Sequence, residues 1–422
     1  MRYLLVTLGS AGDLHPFLAV GRALATLGHD VEVMTNAPYE DAVRREGFAF
    51  SPLCSERDHR RTADHPDLWH PIRGFGVLWR HLAVPAIEPV RARVLGMFDA
   101  ASEFRVLASP LAVGARIARM QREFRLCSLY TAPANLRSTS DPMYLGAWRV
   151  PSWLPRSMRG LLWRLLDWRK LEPMARPAVE SACRAAGVSR SHGSLFGEWI
   201  HSPDGGVTLF PPSFCDLQDD WPSHVHSGNF PIFRASGDND LPPALAAFLD
   251  GGQQPVAIFA GSAPGAHGRT LLRDALIACR ALGLRSIALG PAAVDVAADA
   301  GEDPEFIHRC AHAPLDLLLH RCLVFVHHGG IGSCAQGLRA RIPQLIRPFA
   351  YDQFDNAARI EADGAGRLVR HDSRSRVALL QVLEELAMSG GAIKPCELAD
   401  DPDGSQGVLR GLADWERARG RT

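Results

Sequence analysis

Short apolar runs alternate with amphipathic stretches along most of this chain. Residues 3–8, 31–35 and 48–53 read as strands, and residues 16–27 and 37–46 as helices that stop at Gly28 and Gly47. The rhythm resumes with a strand at 105–109, a helix around 111–124 and a strand at 127–131. Strands separated by helices in this way build βαβ units, giving a parallel sheet covered on both faces. Between 55 and 100, and again between 135 and 200, the alternation fails and Trp, Pro and Arg accumulate. Residues 207–210 and 224–233 return to a strand-like pattern.

The second half repeats the alternation more cleanly. Strands are expected at 256–260, 286–289, 306–309, 323–327 and 344–346, with helices at 269–282, from 315 to 319 and at 333–340. Gly237, Asp238, Asn239, Asp240, Pro242 and Pro243 stand between the halves as a linker. The expected organisation is a Rossmann-like domain over 1–234, a linker at 235–245, a second Rossmann-like domain over 246–404 and a terminal helix within 405–422. Two such halves make a cleft at the C-terminal ends of their strands, where ligands bind in such folds.

At 422 residues the chain is long enough for two domains of ordinary size. Its composition is that of a globular protein, and a formal net charge of zero argues against broad electrostatic binding to nucleic acid. Nine cysteines without a C-x-x-C pair suggest reduced thiols in a cytosolic protein. The opening apolar run is too short for a signal peptide, and no segment is long enough to span a bilayer. The expected location is the cytoplasm, at most on the inner face of the plasma membrane.

The densest chemistry lies in His327-His328-Gly329-Gly330-Ile331-Gly332-Ser333, with Asp352-Gln353 nineteen residues after Ser333. An apolar strand runs into a glycine-rich turn that opens a helix. Backbone N–H groups at a helix N-terminus attract a diphosphate, and Gly329, Gly330 and Gly332 let the backbone approach it without a Cβ. A histidine beside them can donate a charge-assisted bond worth roughly 1.5–3 kcal/mol. His327, one position earlier, faces the sheet in this reading and is structural.

The run His328 to Ser333, Arg341-Ile342-Pro343-Gln344 and Asp352-Gln353-Phe354-Asp355-Asn356-Ala357 together resemble the donor motif of inverting nucleotide-sugar glycosyltransferases of the GT-B fold, the family 1, UDP-glycosyltransferase-like group. Gly9-Ser10-Ala11-Gly12-Asp13, Phe75-Gly76-Val77-Leu78-Trp79, Trp199-Ile200-His201-Ser202-Pro203 and Asp220-Trp221-Pro222 are most similar to the rhamnolipid rhamnosyltransferase chains. The resemblance covers about residues 1–390. It implies two Rossmann-like domains facing across a cleft, and a terminal helix that crosses back to the first.

The resemblance also assigns roles. Asp13 fills the slot where relatives carry a histidine or aspartate base, with the N-cap of a helix beginning at Pro16 as its plain alternative and His15 as the competing base. His328, Gly330, Gly332 and Ser333 hold the leaving diphosphate, joined by Ser262 in the turn Ala260-Gly261-Ser262-Ala263. Asp352 and Gln353 hold sugar hydroxyls, Asn356 adds a contact or caps the next helix, and the segment at His312 lies beside the nucleotide base. No Asp-x-Asp pair stands where a metal would be expected, so neither a metal nor another cofactor is expected. Relatives carry glycine where this chain has Arg341, which puts the local loop geometry in question.

Acceptor residues are less legible. Trp69, Phe75, Trp79, Trp148, Trp153, Trp163 and Trp168 fall in the irregular stretches, either lining an apolar pocket, with His15 beside it, or forming core. Residues 153–169 alternate leucines with arginines, as in a helix that touches anionic lipid or in an arginine-studded surface helix. The expected reaction moves a sugar, dTDP-rhamnose favoured, to a hydroxyl of a lipophilic acceptor such as a hydroxyacyl lipid. UDP-glucose with a sterol, polyketide or other small lipophilic acceptor is the alternative. A dinucleotide-dependent oxidoreductase fits less well, because Gly9 and Gly12 do not make G-x-G-x-x-G. A 2-epimerase and a base-less partner subunit are the remaining options.

Overall fold

The computed structural model describes residues 1–100, 103–140, 142–189, 193–261, 266–295, 303–370, 375–388 and 401–418. They fall into two compact units, Met1–Phe233 with Asp400–Thr422, and Arg234–Ala399. In the first unit the strands are β1 (Arg2–Val6), β2 (Asp30–Thr35), β3 (Ala49–Pro52), β4 (Phe104–Ala108) and β5 (Arg125–Tyr130). A small antiparallel hairpin, β6 (Tyr144–Leu145) and β7 (Trp148–Arg149), precedes β8 (Gly206–Thr208) and β9 (Val225–His226). The main sheet has the order β3-β2-β1-β4-β5-β8-β9 and is parallel throughout.

Strand alternation in β1 explains why both faces are covered. Leu4 and Val6 point into a core with Val90, Val106 and Leu126, while Tyr3 and Leu5 point into another with Phe17 and Leu129. Each such side chain contributes roughly 1.5–3 kcal/mol by leaving water. The helix Ser405–Arg417 belongs to this unit, with Val408, Leu412 and Trp415 completing the Leu5 core. Trp415 Nε1 donates to the Asp204 carbonyl at 2.7 Å, which fixes that helix at its end.

The second unit has β10 (Val256–Phe259), β11 (Ser286–Leu289), β12 (Ile307–Cys310), β13 (Val324–His327), β14 (Gln344–Ile346) and β15 (Gly366–Leu368). Its sheet order is β12-β11-β10-β13-β14-β15, again parallel. In such sheets the strand order reverses beside the first strand, and ligands bind in the crevice at that switch. The switch lies between β1 and β4 in the first unit, and between β10 and β13 in the second. The loops after β1, β10 and β13 therefore stand at these switch points.

Several expectations change. The first helix runs Ala11–Thr26, beginning five residues before the expected start at 16, with Pro16 inside it. Ser10 is its N-cap, and Asp13 turns back to receive the Ser10 N–H at 2.7 Å, so the helix is nucleated ahead of the proline. Asp13 is consequently not the N-cap. The motif helix, Ile331–Ala340, starts two residues early. The stretches that broke the rhythm are largely helical, as Glu56–Ala63, Val84–Ala100, Arg156–Leu166 and Glu172–Ala185 show. Wide π-type turns at Trp79–Ala83 and Asp167–Leu171 shift the apolar period, and Pro89 and Pro177 lie inside helices. Arg341 keeps the left-handed conformation that glycine would favour, at φ 53° and ψ 39°.

Candidate functional site

In the first unit the candidate chemistry is the loop from β1 into the helix Ala11–Thr26. Gly9 has φ 132°, and a Cβ there would lie 2.2 Å from Asp13 Oδ2, so glycine is what lets the carboxylate fold back. Buried Asn36 donates to the Gly9 carbonyl at 2.7 Å, and Thr7 Oγ1 donates to the Asp13 carbonyl at 3.1 Å. Ser10 supplies Asp13 Oδ2 with its N–H at 2.7 Å and its hydroxyl at 3.0 Å. Asp13 Oδ1 has no hydrogen bond among the described residues. Burial raises the Asp13 pKa above the ordinary carboxylate value, while the Ser10 donors oppose that rise. Tyr39 is pushed up to about 12, first by burial and then by the Asp13 charge, which places it near this carboxylate. One oxygen fixed and one unengaged, on a group made more basic, is an arrangement that can accept a proton.

His15 lies on another face of the same helix, exposed and against Phe233 with ring centroids 5.0 Å apart. Trp69 is partly buried. Trp79, a candidate for either the acceptor pocket or the core, belongs to the core: it is fully buried, edge-on to Phe196 at 5.1 Å within an apolar cluster. Trp79 opens the π-type turn Trp79–Ala83, whose Leu82 and Ala83 are buried with it.

In the second unit the glycines surround His328. A Cβ on Gly330 would lie 2.6 Å from His328 Nε2, and one on Gly261 would lie 3.1 Å from its Cε1. The imidazole is edge-on to Phe259 at 6.2 Å and stacks on Phe349 at 6.2 Å, so the ring has one place to sit. Its Nδ1 is buried without a hydrogen bond, and the Phe259 backbone acts to raise its proton affinity. Burial dominates and pulls the His328 pKa down to about 4. His327 is fully buried, takes the Gly329 N–H on Nδ1 at 3.1 Å and places Nε2 2.9 Å from Gln344 Oε1, which puts its proton on Nε2. Burial and its neighbour His328 depress His327 to about 3, so it is a neutral brace of the turn.

Gly330 is the N-cap of the helix Ile331–Ala340, with no side-chain cap and no acidic residue in the first turn. Buried Ser333 follows in that turn, and a Cβ on Gly332 would meet nothing within 4 Å. The structure joins this turn to the downstream pair. Asn356, fully buried, donates to the Gly329 carbonyl at 3.0 Å and to Asp352 Oδ2 at 2.8 Å. Gln353 is buried and its Oε1 receives the Phe349 and Ala350 N–H groups at 2.8 and 3.1 Å, leaving its amide nitrogen as the available donor. His312 stands apart, with an exposed imidazole whose Nε2 lies 2.6 Å from Asp238 Oδ2. Ser262 lies outside the described residues.

Two residues at this turn escaped the sequence reading. Phe349 carries the His328 ring, and the same phenyl stacks on His267 at 5.7 Å, in the first turn of the helix Ala266–Ala281. Neither lies in a motif; only the position of 349 directly between β14 and Asp352 was a signal. Among the described residues no cluster of three or more His, Cys, Asp or Glu is placed to hold a metal ion, and no helix is long and apolar enough to cross a membrane.

Residues 3–116 match the family described as glycosyltransferase family 28 N-terminal domain, and residues 293–402 match the erythromycin biosynthesis protein CIII-like C-terminal domain. The chain is 24% identical over 395 residues to a sterol 3-beta-glucosyltransferase of Arabidopsis thaliana, covering 87% of this chain but only 57% of that protein. It is 27% identical over 390 residues to O-mycaminosyltylonolide 6-deoxyallosyltransferase of Streptomyces fradiae, covering 90% of this chain and 88% of that one. The spinosyn rhamnosyltransferase SpnG, solved with thymidine diphosphate, superimposes with a TM-score of 0.61 at 16% identity over the full length of both chains. The fold is that of GT-B glycosyltransferase structures, and these sequence relatives are themselves glycosyltransferases. They do not establish a special closeness to the rhamnolipid rhamnosyltransferases.

Proposed function

We propose that this chain transfers a sugar from a nucleotide-diphosphate donor to a hydroxyl of a small lipophilic acceptor, with inversion. The observation that carries the reading is the helix Ile331–Ala340, uncapped and free of acid at its N-terminus, with open space at Gly332 and His328 beside it. Such an end supports a bound anion. In the proposed step the acceptor oxygen attacks the anomeric carbon, and its proton passes to Asp13 Oδ1. The bond from that carbon to the diphosphate oxygen breaks, and the N–H groups from Gly330 to Ser333, with His328 and Ser262, take up the developing charge. Asp352 and the Gln353 amide hold sugar hydroxyls, and the His312 segment lies beside the base. No divalent cation is part of this step, so transfer is expected to persist in EDTA.

For the donor, dTDP-rhamnose is favoured, supported by the rhamnolipid-like motifs and by the thymidine diphosphate in the SpnG structure. For the acceptor, a hydroxyacyl lipid follows from the same motifs. The match to a sterol glucosyltransferase equally supports UDP-glucose and a sterol-like or polyketide acceptor. Calorimetric titration of the protein with UDP, dTDP, GDP and NAD, without metal, decides between them. Preference for dTDP supports the first reading and preference for UDP the second. Binding of NAD alone, or of none, rejects both.

A further inference from the structure

We propose that the outward face of the helix Arg156–Leu166 and its continuation through Trp168 docks on an anionic lipid surface. Unlike a helix packed on a protein core in water, this helix leaves an apolar face outward. Its inward face is pinned by polar contacts, with Leu162 and Leu166 half-buried beside them. Arg159 is 4% exposed, with donors to the carbonyls of Leu154 at 2.9 Å, Thr139 at 3.0 Å and Ser152 at 2.5 Å. Trp163 Nε1 donates to the Ser138 carbonyl at 3.0 Å, and buried Asp167 pairs with Arg137 at 2.7 Å. The outward face carries Met158, Leu161, Leu165 and Trp168, exposed by 50, 55, 49 and 67%. Spacings of three, four and three residues put these on one side of the helix. Trp153, 78% exposed, stands in the loop that Arg159 holds in place.

Charge selects the occupant. The chain as a whole balances 46 basic against 46 acidic residues. Residues 144–171, however, hold Arg149, Arg156, Arg159, Arg164, Arg169 and Lys170 against the single acid Asp167, which is buried and already paired. Arg164, Arg169 and Lys170 are exposed and form no ion pair among the described residues, and the Arg169 guanidinium lies 5.1 Å over the Trp168 ring. A second copy seated on the same face would set these cations against themselves. An anionic bilayer complements them, with leucine and tryptophan entering the headgroup boundary and the cations meeting phosphate. This surface stands independently of the transfer reading, though it suits an enzyme whose acceptor is a lipid.

The test is flotation of the full chain with vesicles of phosphatidylglycerol and phosphatidylcholine, against phosphatidylcholine alone. The wild type is expected to float with the anionic vesicles and to be released by salt. Leu161→Glu/Leu165→Glu is expected to lose about tenfold or more in vesicle affinity. Arg164→Gln/Arg169→Gln/Lys170→Gln is expected to lose roughly fivefold per charge on anionic vesicles only. Both variants should keep the wild-type melting temperature and dTDP affinity, which shows that they fold. Absence of wild-type flotation, or undiminished flotation of the leucine variant, overturns the proposal. So does self-association that the leucine variant abolishes, which would mean that a second copy covers the face. Flotation without any nucleotide binding would leave this surface standing and remove only the transfer reading.

Discussion

Two loops on similar scaffolds solve opposite electrostatic problems. After β1, the helix Ala11–Thr26 meets its own anion, because Asp13 folds back onto the Ser10 N–H and hydroxyl. After β13, the helix Ile331–Ala340 starts from Gly330 with no cap and no acid in its first turn. The glycines follow the same division. Gly9 makes room for the carboxylate, Gly261 and Gly330 make room for an imidazole, and Gly332 makes room for no protein atom at all. A helix end that carries its own charge can hold a poised base, whereas one left bare is suited to a ligand's charge.

The comparison breaks most severely at Asp13. Asp13→Asn removes the proton acceptor while keeping the Ser10 bonds feasible; turnover should fall about 10²–10⁴-fold, with dTDP affinity unchanged by calorimetry. An active variant would move the base elsewhere. Giving the second loop what the first already has is the reciprocal experiment. Gly332→Asp places an anion in open space at the bare helix end, so donor affinity should drop on the order of 100-fold while the melting temperature rises. Unchanged binding would show that the diphosphate does not sit there.

His328→Ala should weaken donor binding by about 10–100-fold, the equivalent of roughly 1.5–3 kcal/mol for a hydrogen bond to a charged group. A pH profile sharpens the first loop. Asp13 must be ionised to act, and burial raises its pKa, so kcat/KM should fall as pH drops through a value above that of an ordinary carboxylate. Ser10→Ala removes one of the donors that oppose the rise, and the acid limb should move to higher pH; no movement would mean that Asp13 is not the group titrating. The smallest effect lies at the far end of the motif helix. Arg341→Gly relieves a left-handed residue and should stabilise the protein by about 1 kcal/mol in chemical denaturation, without changing dTDP affinity.

Much of the second unit was legible because its strands are uninterrupted apolar runs and its turn is spelled out in glycine. The same signals placed β1 and the Gly9–Asp13 loop. The helix start was misjudged because Pro16 is a stronger local sign than Ser10, whose capping role depends on Asp13 folding back. The stretches 55–100 and 135–200 were opaque because the π-type turns at Trp79–Ala83 and Asp167–Leu171 offset the apolar period. For the same reason Trp79, which pattern left open between pocket and core, is core. Phe349 and His267 meet only through folding, being 82 residues apart.

The sequence by itself determined the alternation of strand and helix, the glycine turns and the residue types that bring charge to them, since periodicity and backbone freedom are local properties. Only the tertiary structure decided which oxygen of Asp13 is left unengaged, that His327 braces the turn while His328 sits beside the bare helix end, and that Gln353 spends its carbonyl on its own loop. It alone turned the leucines of Arg156–Leu166 outward. The Asp13 and Gln353 bonds close local turns and the His327 bond reaches seventeen residues to Gln344, but all of them depend on the backbone path and burial that exist only once the chain has packed.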